Sequence, residues 1–194
     1  MAAYLRIGTF VSGSCLCFGV ACLAVACGGE QGSGSEDAAG ASKLADEFVL
    51  AHNRVRAGVT APAGYPGTFS PLPGMLWVDA LATSARQWAE HIKSASNCKD
   101  LVHENRDPGD TSIGENIAGG TVGFLPAAAV NVWANEHYEF TPAYKFDAQY
   151  GHYTQIVWRN SIYLGCGVAQ CSNGLVVYVC RYSPAGNVEG EQPY

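Results

Sequence analysis

The sequence is poor in charged residues, and basic side chains are the scarcer kind. Lys and Arg number 11 and Asp and Glu 17 among 194 residues, which gives a formal net charge of −6. No segment concentrates the basic residues, whereas proteins that bind nucleic acids present clustered Lys and Arg to the phosphates. The composition therefore argues against nucleic acid as a partner.

The sequence also lacks the motifs of several catalytic classes. No G-x-S-x-G occurs, so the nucleophile elbow of the α/β-hydrolases is missing. No internal repeat is visible, and no Ser or Cys is recognisable as a nucleophile partnered by a base. These absences leave one domain of ordinary size whose function depends on other residues.

The amino terminus has the features of an export signal. The first six residues carry one positive charge, and the next twenty are uncharged and mostly apolar. This pattern predicts a signal peptide over 1–26, and Cys27 behind Ala26 resembles the lipidation site of bacterial lipoproteins, although Leu23 lies one place too far from it. The alternative is an uncleaved membrane anchor, because the apolar run approaches the ~20 residues of a spanning helix. Both readings place the domain outside the cytoplasm.

Residues 27–41 are rich in Gly, Ser and acidic side chains. Such a composition is typical of a flexible tether, with a root-mean-square reach of roughly 20 Å. The folded domain is therefore predicted over 42–194.

Helical patterns occupy the first part of that domain. The spacing of apolar residues predicts a helix from a Ser42 cap to Gly58 and a second from an Asp79 cap to about Asn97. A third helix is predicted to begin near Pro126, which suits a first helical turn. Prolines and glycines predict loops over 60–74, and the segments 98–120 and 139–150 are predicted to be irregular connections.

Strand patterns occupy the last part. Alternating or continuous apolar residues predict strands over 153–158, 163–168 and 175–182, the last after a turn at Asn173 and Gly174. Because helices come first and strands last, the expected class is α+β with an antiparallel sheet.

Four cysteines fall within the predicted domain: Cys98, Cys166, Cys171 and Cys180. An even number in an exported domain predicts two disulfides, with three possible connectivities. The rival interpretation is a zinc site, but these cysteines lack the paired C-x-x-C spacing of zinc ribbons and knuckles.

Several segments resemble the motifs of a known family. "GHYTQIVW" (151–158) and "YVCRYSPAGN" (178–187) resemble the two signatures of the CAP superfamily, which includes cysteine-rich secretory proteins, insect-venom antigen 5 and plant pathogenesis-related proteins of class one. Its shorter blocks are matched in the same order by "AHNRVRAGV" (51–59), "LVHEN" (101–105), "GENIA" (114–118) and "WANE" (133–136). The resemblance covers 42–194 and is particularly strong to the plant branch.

The resemblance implies a fold and a disulfide pairing. The family fold is an α-β-α sandwich with a central three-stranded antiparallel sheet and helices on both faces. Its cysteine pattern implies the disulfides Cys98–Cys171 and Cys166–Cys180.

The resemblance also implies an open cleft formed by four side chains. They are His103, Glu115, Glu136 and His152, with Gln155 adjacent to them. On this interpretation His152 heads a core strand that holds it at the floor of the cleft. Imidazoles favour zinc and similar divalent ions, and carboxylates can orient the rings. We therefore expect His103 and His152 to bind Zn²⁺ or another divalent cation weakly, with water completing the shell.

Three functions are compatible with the sequence. The resemblance favours non-enzymatic binding, of the cation and of an apolar lipid or sterol-like ligand. A metal-assisted hydrolase or peptidase, with Glu115 or Glu136 beside a metal-bound water, is the second possibility. A non-catalytic interaction module is the third. We expect a monomer, exported as an envelope lipoprotein or extracellular, whose membrane contact is its lipid anchor and whose protein partner is unknown.

Other features carry narrower expectations. Plant members usually carry two cysteines in the connection 139–151, and this sequence has none there. The resemblance therefore does not by itself predict sterol binding. The tail 184–194 resembles a peptide released from plant relatives, but we expect it to pack against the domain. His52, Asn53 and Arg54 are expected to form hydrogen bonds between the first helix and its neighbours. His91 and His137 are expected to lie outside the cleft.

Overall fold

The computed structural model describes residues 33–60, 69–105, 112–138 and 148–194. The predicted signal peptide, Cys27 and the start of the tether lie outside these ranges. The regular elements are α1 (Ser33–Gly58), β1 (Leu76–Trp77), α2 (Asp79–Ser96), β2 (Gly114–Thr121), α3 (Pro126–Ala134), α4 (Gly151–Val157), β3 (Tyr163–Gln170) and β4 (Leu175–Ser183), with short 3-10 turns at Asn135–Tyr138 and Ala148–Tyr150. In the described part of the chain, no helix is both long and apolar enough to cross a bilayer.

One four-stranded sheet, in the order β1-β3-β4-β2, lies between two helical layers. Strands β3 and β2 pair with β4 in antiparallel fashion, and the two residues of β1 pair with β3 in parallel. Successive side chains of a strand point to opposite faces. Accordingly, Val177 and Val179 of β4 pack with α2, while Val176 and Tyr178 pack with α1 and α3 on the other face. The predicted α-β-α sandwich is confirmed, with the parallel strand β1 as an addition.

Helix α1 begins nine residues earlier than predicted. It starts at Ser33 and not at Ser42, so part of the predicted tether 27–41 is helical. Alanine has the highest helix propensity, and the segment 38–41 reads AAGA. The predicted end at Gly58 is confirmed.

Helix α2 starts at Asp79, although the aspartate is its first residue and not its cap. Val78 occupies the cap position, and the Asp79 carboxylate accepts a hydrogen bond from the Trp77 indole at 2.9 Å. The helix ends at Ser96, and the following C-cap residue, Asn97, has a left-handed φ of 52°.

Glycines of β3 allow α2 to lie close to the sheet. A Cβ atom built on Gly165 or Gly167 would come within 2.2 Å of a backbone nitrogen of α2. Larger residues there would push the helix away from the sheet.

The predicted strand over 153–158 is wrong. Residues Gly151–Val157 form helix α4, and every side chain from Tyr153 to Val157 is buried. A helix buried on all sides has no polar face, so its apolar residues show no helical period. Periodicity alone cannot separate such a segment from a strand.

The segment 98–120, predicted to be irregular, contains strand β2. Gly114–Thr121 pairs with β4 over its full length, from Gly114 opposite Tyr182 to Thr121 opposite Leu175. Three of its eight residues are glycine, which has a low strand propensity. The strand therefore forms because it pairs with β4, despite the low strand propensity of its glycines.

Both predicted disulfides are confirmed. Cys98–Cys171 joins the end of α2 to the turn between β3 and β4, and Cys166–Cys180 joins directly opposed residues of those strands. All four cysteines are thereby consumed, which excludes the alternative of a cysteine zinc site.

His52 of α1 is fully buried and neutral. Its Nδ1 donates to the Phe48 carbonyl at 2.8 Å, and its Nε2 accepts from the Tyr182 hydroxyl at 2.9 Å. Burial lowers the pKa of His52 to about 4, because a charged ring would lose its hydration. Asn53 likewise bonds both backbone groups of Met75, as predicted, whereas Arg54 is exposed.

Arg56 is a buried link that the sequence did not reveal. Its guanidinium donates to the carbonyls of Pro73, Ile156 and Trp158, at 2.7 to 2.8 Å. Burial lowers its pKa to about 10, which still leaves it charged at neutral pH. Arg56 thus ties α1 to the end of α4.

The tail packs against the domain, as expected. Tyr194 is 7% exposed and its ring meets Phe69 edge-on at 5.8 Å. Asn187 bonds Thr154 and Gly151 of α4.

Removing each disulfide should lower the free energy of unfolding, and the loss should be larger for the disulfide that closes the longer loop. The sequence separations are 73 residues for Cys98–Cys171 and 14 for Cys166–Cys180. We expect losses of about 4 kcal/mol and about 3 kcal/mol in the paired alanine variants. Denaturant unfolding measures both, and no loss in the Cys98→Ala/Cys171→Ala protein would contradict the estimate.

Acid should destabilise the fold through His52. Between pH 6.5 and about 4 the unfolded chain binds a proton at His52 that the folded chain refuses, so stability falls as pH falls. The loss should approach about 3 kcal/mol. The pH dependence of unfolding should be shallower in His52→Gln and unchanged in the exposed control His91→Gln. Equal slopes in wild type and His52→Gln would refute this assignment.

Candidate functional site

The structure brings together the four side chains that the resemblance assigns to the cleft. His103 lies in the loop after α2, Glu115 on β2, Glu136 in the 3-10 turn after α3 and His152 at the start of α4. The two imidazoles face each other, with ring centroids 6.4 Å apart and planes inclined by 30°. The cleft is therefore built from four separate elements.

His103 and Glu115 form the first pair. The distance from Nδ1 of His103 to Oε1 of Glu115 is 2.9 Å, and the same oxygen accepts the backbone N–H of Glu104 at 3.2 Å. The His103 side chain is 58% exposed and that of Glu115 only 8%. The carboxylate thus forms a buried support for an imidazole that is open to solvent.

Arg181 lies beneath this pair and was not recognised from the sequence. Its Nη2 is 2.7 Å from Oε2 of Glu104 and 3.4 Å from Oε2 of Glu115, and its Nη1 donates to Ser84 of α2. The buried guanidinium offsets the charge of both carboxylates. The sequence feature that could have indicated a buried charged contact is the position of this arginine inside the apolar run "LVVYVCRY" (175–182).

His152 and Glu136 form the second pair. Nδ1 of His152 lies 2.6 Å from Oε1 of Glu136, whose other oxygen accepts the backbone N–H groups of His152 and Tyr153 at 2.9 and 3.1 Å. The first N–H groups of a helix have no partner within it, and an anion there is stabilised. Glu136 therefore caps α4 and holds the imidazole in place. His152 is positioned by this helix start and not by the strand we predicted.

A third ring extends the stack. The rings of Trp133 and His152 are 6.3 Å apart and inclined by 20°, and the indole N–H of Trp133 donates to the Ile117 carbonyl at 3.0 Å. In the sequence, Trp133 was identified only as the first residue of the block WANE (133–136). It also supports one face of the His152 ring.

Gln155 lies behind the cleft and is not part of its surface. The residue is 2% exposed; its Nε2 donates to Ser161 and its Oε1 accepts the backbone N–H of Gly186, both at 3.0 Å. A Cβ atom on Gly114 would collide with its amide oxygen. Gln155 thus supports the beginning of β2, one residue before Glu115.

The other two exposed histidines lie apart, as predicted. His91 stacks on Trp88 with ring centroids 4.4 Å apart. His137 donates from Nδ1 to the Ala134 carbonyl at 2.9 Å. Neither ring faces His103 or His152 in the contacts described.

The pairing determines what the imidazoles can bind. A carboxylate only accepts hydrogen bonds, so each Nδ1 carries the hydrogen and each neutral ring offers its Nε2 lone pair. No group of three or more His, Cys, Asp or Glu side chains suited to a metal occurs in the described ranges. The donor set fits two imidazole ligands with water as the remaining ligands, which is an open site.

Curated proteins with similar sequences are found in animals and plants. GLIPR1-like protein 1 of Homo sapiens is 38% identical over 160 residues, which cover 77% of this chain and 62% of the human protein. Pathogenesis-related protein 1C of Nicotiana tabacum is 39% identical over 152 residues, covering 76% and 79%. This chain thus spans somewhat under two thirds of the human relative.

Solved structures show the same architecture. The crystal structure of NaASP2 with Zn²⁺ matches with a TM-score of 0.60 and 26% identity, over 78% of this chain and 85% of that one. Na-ASP-1 matches with a TM-score of 0.58 and 26% identity, over 78% and 41%. The model of the cysteine-rich secretory protein family matches residues 49–182. Together with the sandwich fold and the cleft, this match shows that the chain belongs to the cysteine-rich secretory protein (CAP) family.

Proposed function

We propose that this protein binds a divalent cation, Zn²⁺ in the first instance, reversibly in the cleft. The observation that carries the proposal is the pair of facing imidazoles, 6.4 Å apart, each held through Nδ1 by its own carboxylate. This is the arrangement in which an outer carboxylate sets the tautomer of a metal-binding histidine and raises its basicity. His103 and His152 would hold the ion through Nε2.

The support beneath the imidazoles favours a preorganised site. Glu115 is anchored by Arg181, and Glu136 by the first N–H groups of α4. Neither carboxylate can turn away without losing a charged or capping contact, so both rings keep their orientation. Two protein ligands imply modest affinity, which suits reversible binding.

A related structure supports the choice of ion. NaASP2, which is 26% identical to this chain, has been crystallised with Zn²⁺. The two proteins share the fold over most of their lengths, so zinc is the first ion to test here.

Binding is favoured over hydrolysis by the engagement of the carboxylates. A metal-assisted hydrolase needs a base free to accept a proton from water. Each oxygen of Glu136 and each oxygen of Glu115 already has a hydrogen-bond or ion-pair partner within the cleft. Both glutamates are thus engaged in orienting the imidazoles, and we propose binding in preference to hydrolysis.

Two further predictions concern the surroundings of the domain. The disulfides agree with an oxidising compartment and hence with export. We propose that Cys27 carries a lipid and tethers the domain to a cell envelope. The apolar lipid or sterol-like ligand stays a prediction. Its pocket would be lined by the 60–76 loop or by the helices, and residues 61–68 of that loop lie outside the described ranges.

Isothermal titration with Zn²⁺ tests the cleft. His103→Ala and His152→Ala should each abolish binding because each removes one of two ligands. Glu115→Gln and Glu136→Gln should weaken it by about 10- to 100-fold, since they disturb the ring orientation only. Binding should also weaken in acid, where protons compete for the imidazole nitrogens.

The matched controls are His91→Ala and His137→Ala, which remove imidazoles outside the cleft and should leave the titration unchanged. If the double variant His103→Ala/His152→Ala binds zinc as the wild type does, the proposed site is wrong.

Lipid attachment is tested at Cys27. The mature protein should partition into detergent and carry the mass of a diacylglyceryl thioether, because stable anchoring takes more than one acyl chain. Cys27→Ser should give an unlipidated or unprocessed protein, as seen by intact-mass spectrometry. A mature wild-type chain that starts at another residue and stays in the aqueous phase would disprove lipidation.

A further inference from the structure

Strand β3 has an outer edge that β1 covers only at its beginning. Strand β1 pairs with Tyr163 and Leu164 alone. In the part of the chain that the structure describes, no strand continues this pairing from Gly165 to Gln170. The other edge of β3 is fully paired with β4.

The backbone groups that face this open edge follow from the register. Cys166 lies opposite Cys180 with a Cα–Cα distance of 4.0 Å, the close spacing of a pair that exchanges no backbone hydrogen bonds. Such residues direct N–H and C=O away from the partner strand. The Leu164 carbonyl shows the same alternation, because it accepts from Val78 at 2.8 Å on the β1 side. Cys166 and Val168 therefore present two N–H and two C=O groups to the outer edge.

A groove of about 670 Å³ lies along this edge. The amino-terminal half of α1 forms one wall, with Leu44 and Ala45, and α2 forms the other, with Ala82 and Arg86. Cys166 and Val168 line the groove between the walls. The unpaired strand edge is thus enclosed on both sides.

We propose that this groove binds an extended peptide segment of a partner protein, which adds as a further strand alongside β3. Enclosed backbone groups favour a hydrogen-bonding partner, since burying them without one is costly. Two donors and two acceptors on alternate residues match the spacing of a strand. Addition of a strand to an open sheet edge is a general mode of peptide recognition.

The two walls indicate the side chains of that peptide. Successive residues of an added strand point to opposite sides of the sheet. The α1 side presents the apolar Leu44, Ala45 and Val168 together with the exposed Asp46, which disfavours an acidic residue on that side. On the α2 side, Arg86 is exposed and forms no ion pair within the described ranges. The expected peptide therefore turns apolar residues toward α1 and polar residues toward α2, and one of the polar residues is acidic and faces Arg86.

Other occupants fit less well. In a second copy of this chain, α1 and α2 would flank its own β3 edge, so the walls would keep the two edges apart. Residues 27–32 read CGGEQG, with three glycines and no large apolar side chain. Glycine has a low strand propensity and no side chain that could pack against the apolar residues of the groove.

Hydrogen exchange measured by NMR tests the proposal on the disulfide-bonded full chain. The probe is the hexapeptide acetyl-Thr-Val-Glu-Val-Thr-Val-amide at millimolar concentration. Exchange at the amides of Cys166 and Val168 should slow by on the order of tenfold, while that at Gly165 and Gly167, which already face β4, should not change. N-methylation of alternate peptide bonds should abolish binding in one register and spare it in the other.

Two variants provide the controls. Val168→Pro removes an N–H that faces the groove and takes no part in the pairing with β4. This variant should therefore keep its fold and lose peptide binding. Arg86→Glu should weaken the glutamate peptide by about tenfold, and a lysine in place of the glutamate should restore binding.

Three results would overturn the proposal. The first is unchanged exchange at Cys166 and Val168 with saturating peptide. The second is protection before any peptide is added that disappears when residues 27–32 are deleted, which identifies the tether as the occupant. The third is protection that grows with protein concentration alone, which identifies a second copy.

Discussion

Strand β4 is paired along both edges and covered on both faces, and the other elements take their positions from it. Val177 and Val179 bury their side chains under α2, while Tyr178 and Tyr182 pack beneath α1 on the opposite side. Because alternate residues serve different layers, a shift of one residue in register would exchange the two cores. The disulfide Cys166–Cys180 holds this register against β3.

The cleft depends on the one charged residue of β4. Arg181 points toward α2 and meets Glu104 and Glu115 at the beginning of β2. A buried cation is tolerated only with charged partners, and removing those partners would leave it uncompensated. The same contacts hold the carboxylate that orients His103. The charge balance of the core and the geometry of the cleft are therefore linked.

The cleft and the groove lie at opposite edges of the sheet. The cleft gathers around β2, and the groove follows β3 beyond the end of β1. The paired strands β3 and β4 separate them, and neither surface shares a described lining residue with the other. Zinc at one edge and a peptide at the other would thus be bound without competition.

Local patterns in the sequence were sufficient to predict the elements that have clear apolar periodicity or characteristic turn residues. Helix α2, the start of α3 at Pro126 and the hairpin of β3 and β4 follow from periodicity and from turn residues. The resemblance identified the disulfide pairing and the four side chains that meet in the cleft. Motif matching depends on residue identity, so it identified these side chains even where the local sequence did not reveal the conformation.

Tertiary structure decided the rest, for physical reasons visible at each place. Helix α4 is buried on every side, so its composition carries no helical period, and the carboxylate of Glu136 supplies the cap that begins it. Strand β2 is rich in glycine and forms because β4 offers it a full set of partners. The support of Glu115 by Arg181 joins residues 66 positions apart, a contact for which no local pattern exists. Sequence therefore determined which chemical groups are present and which elements form unaided, whereas long-range pairing and burial decided how those groups meet.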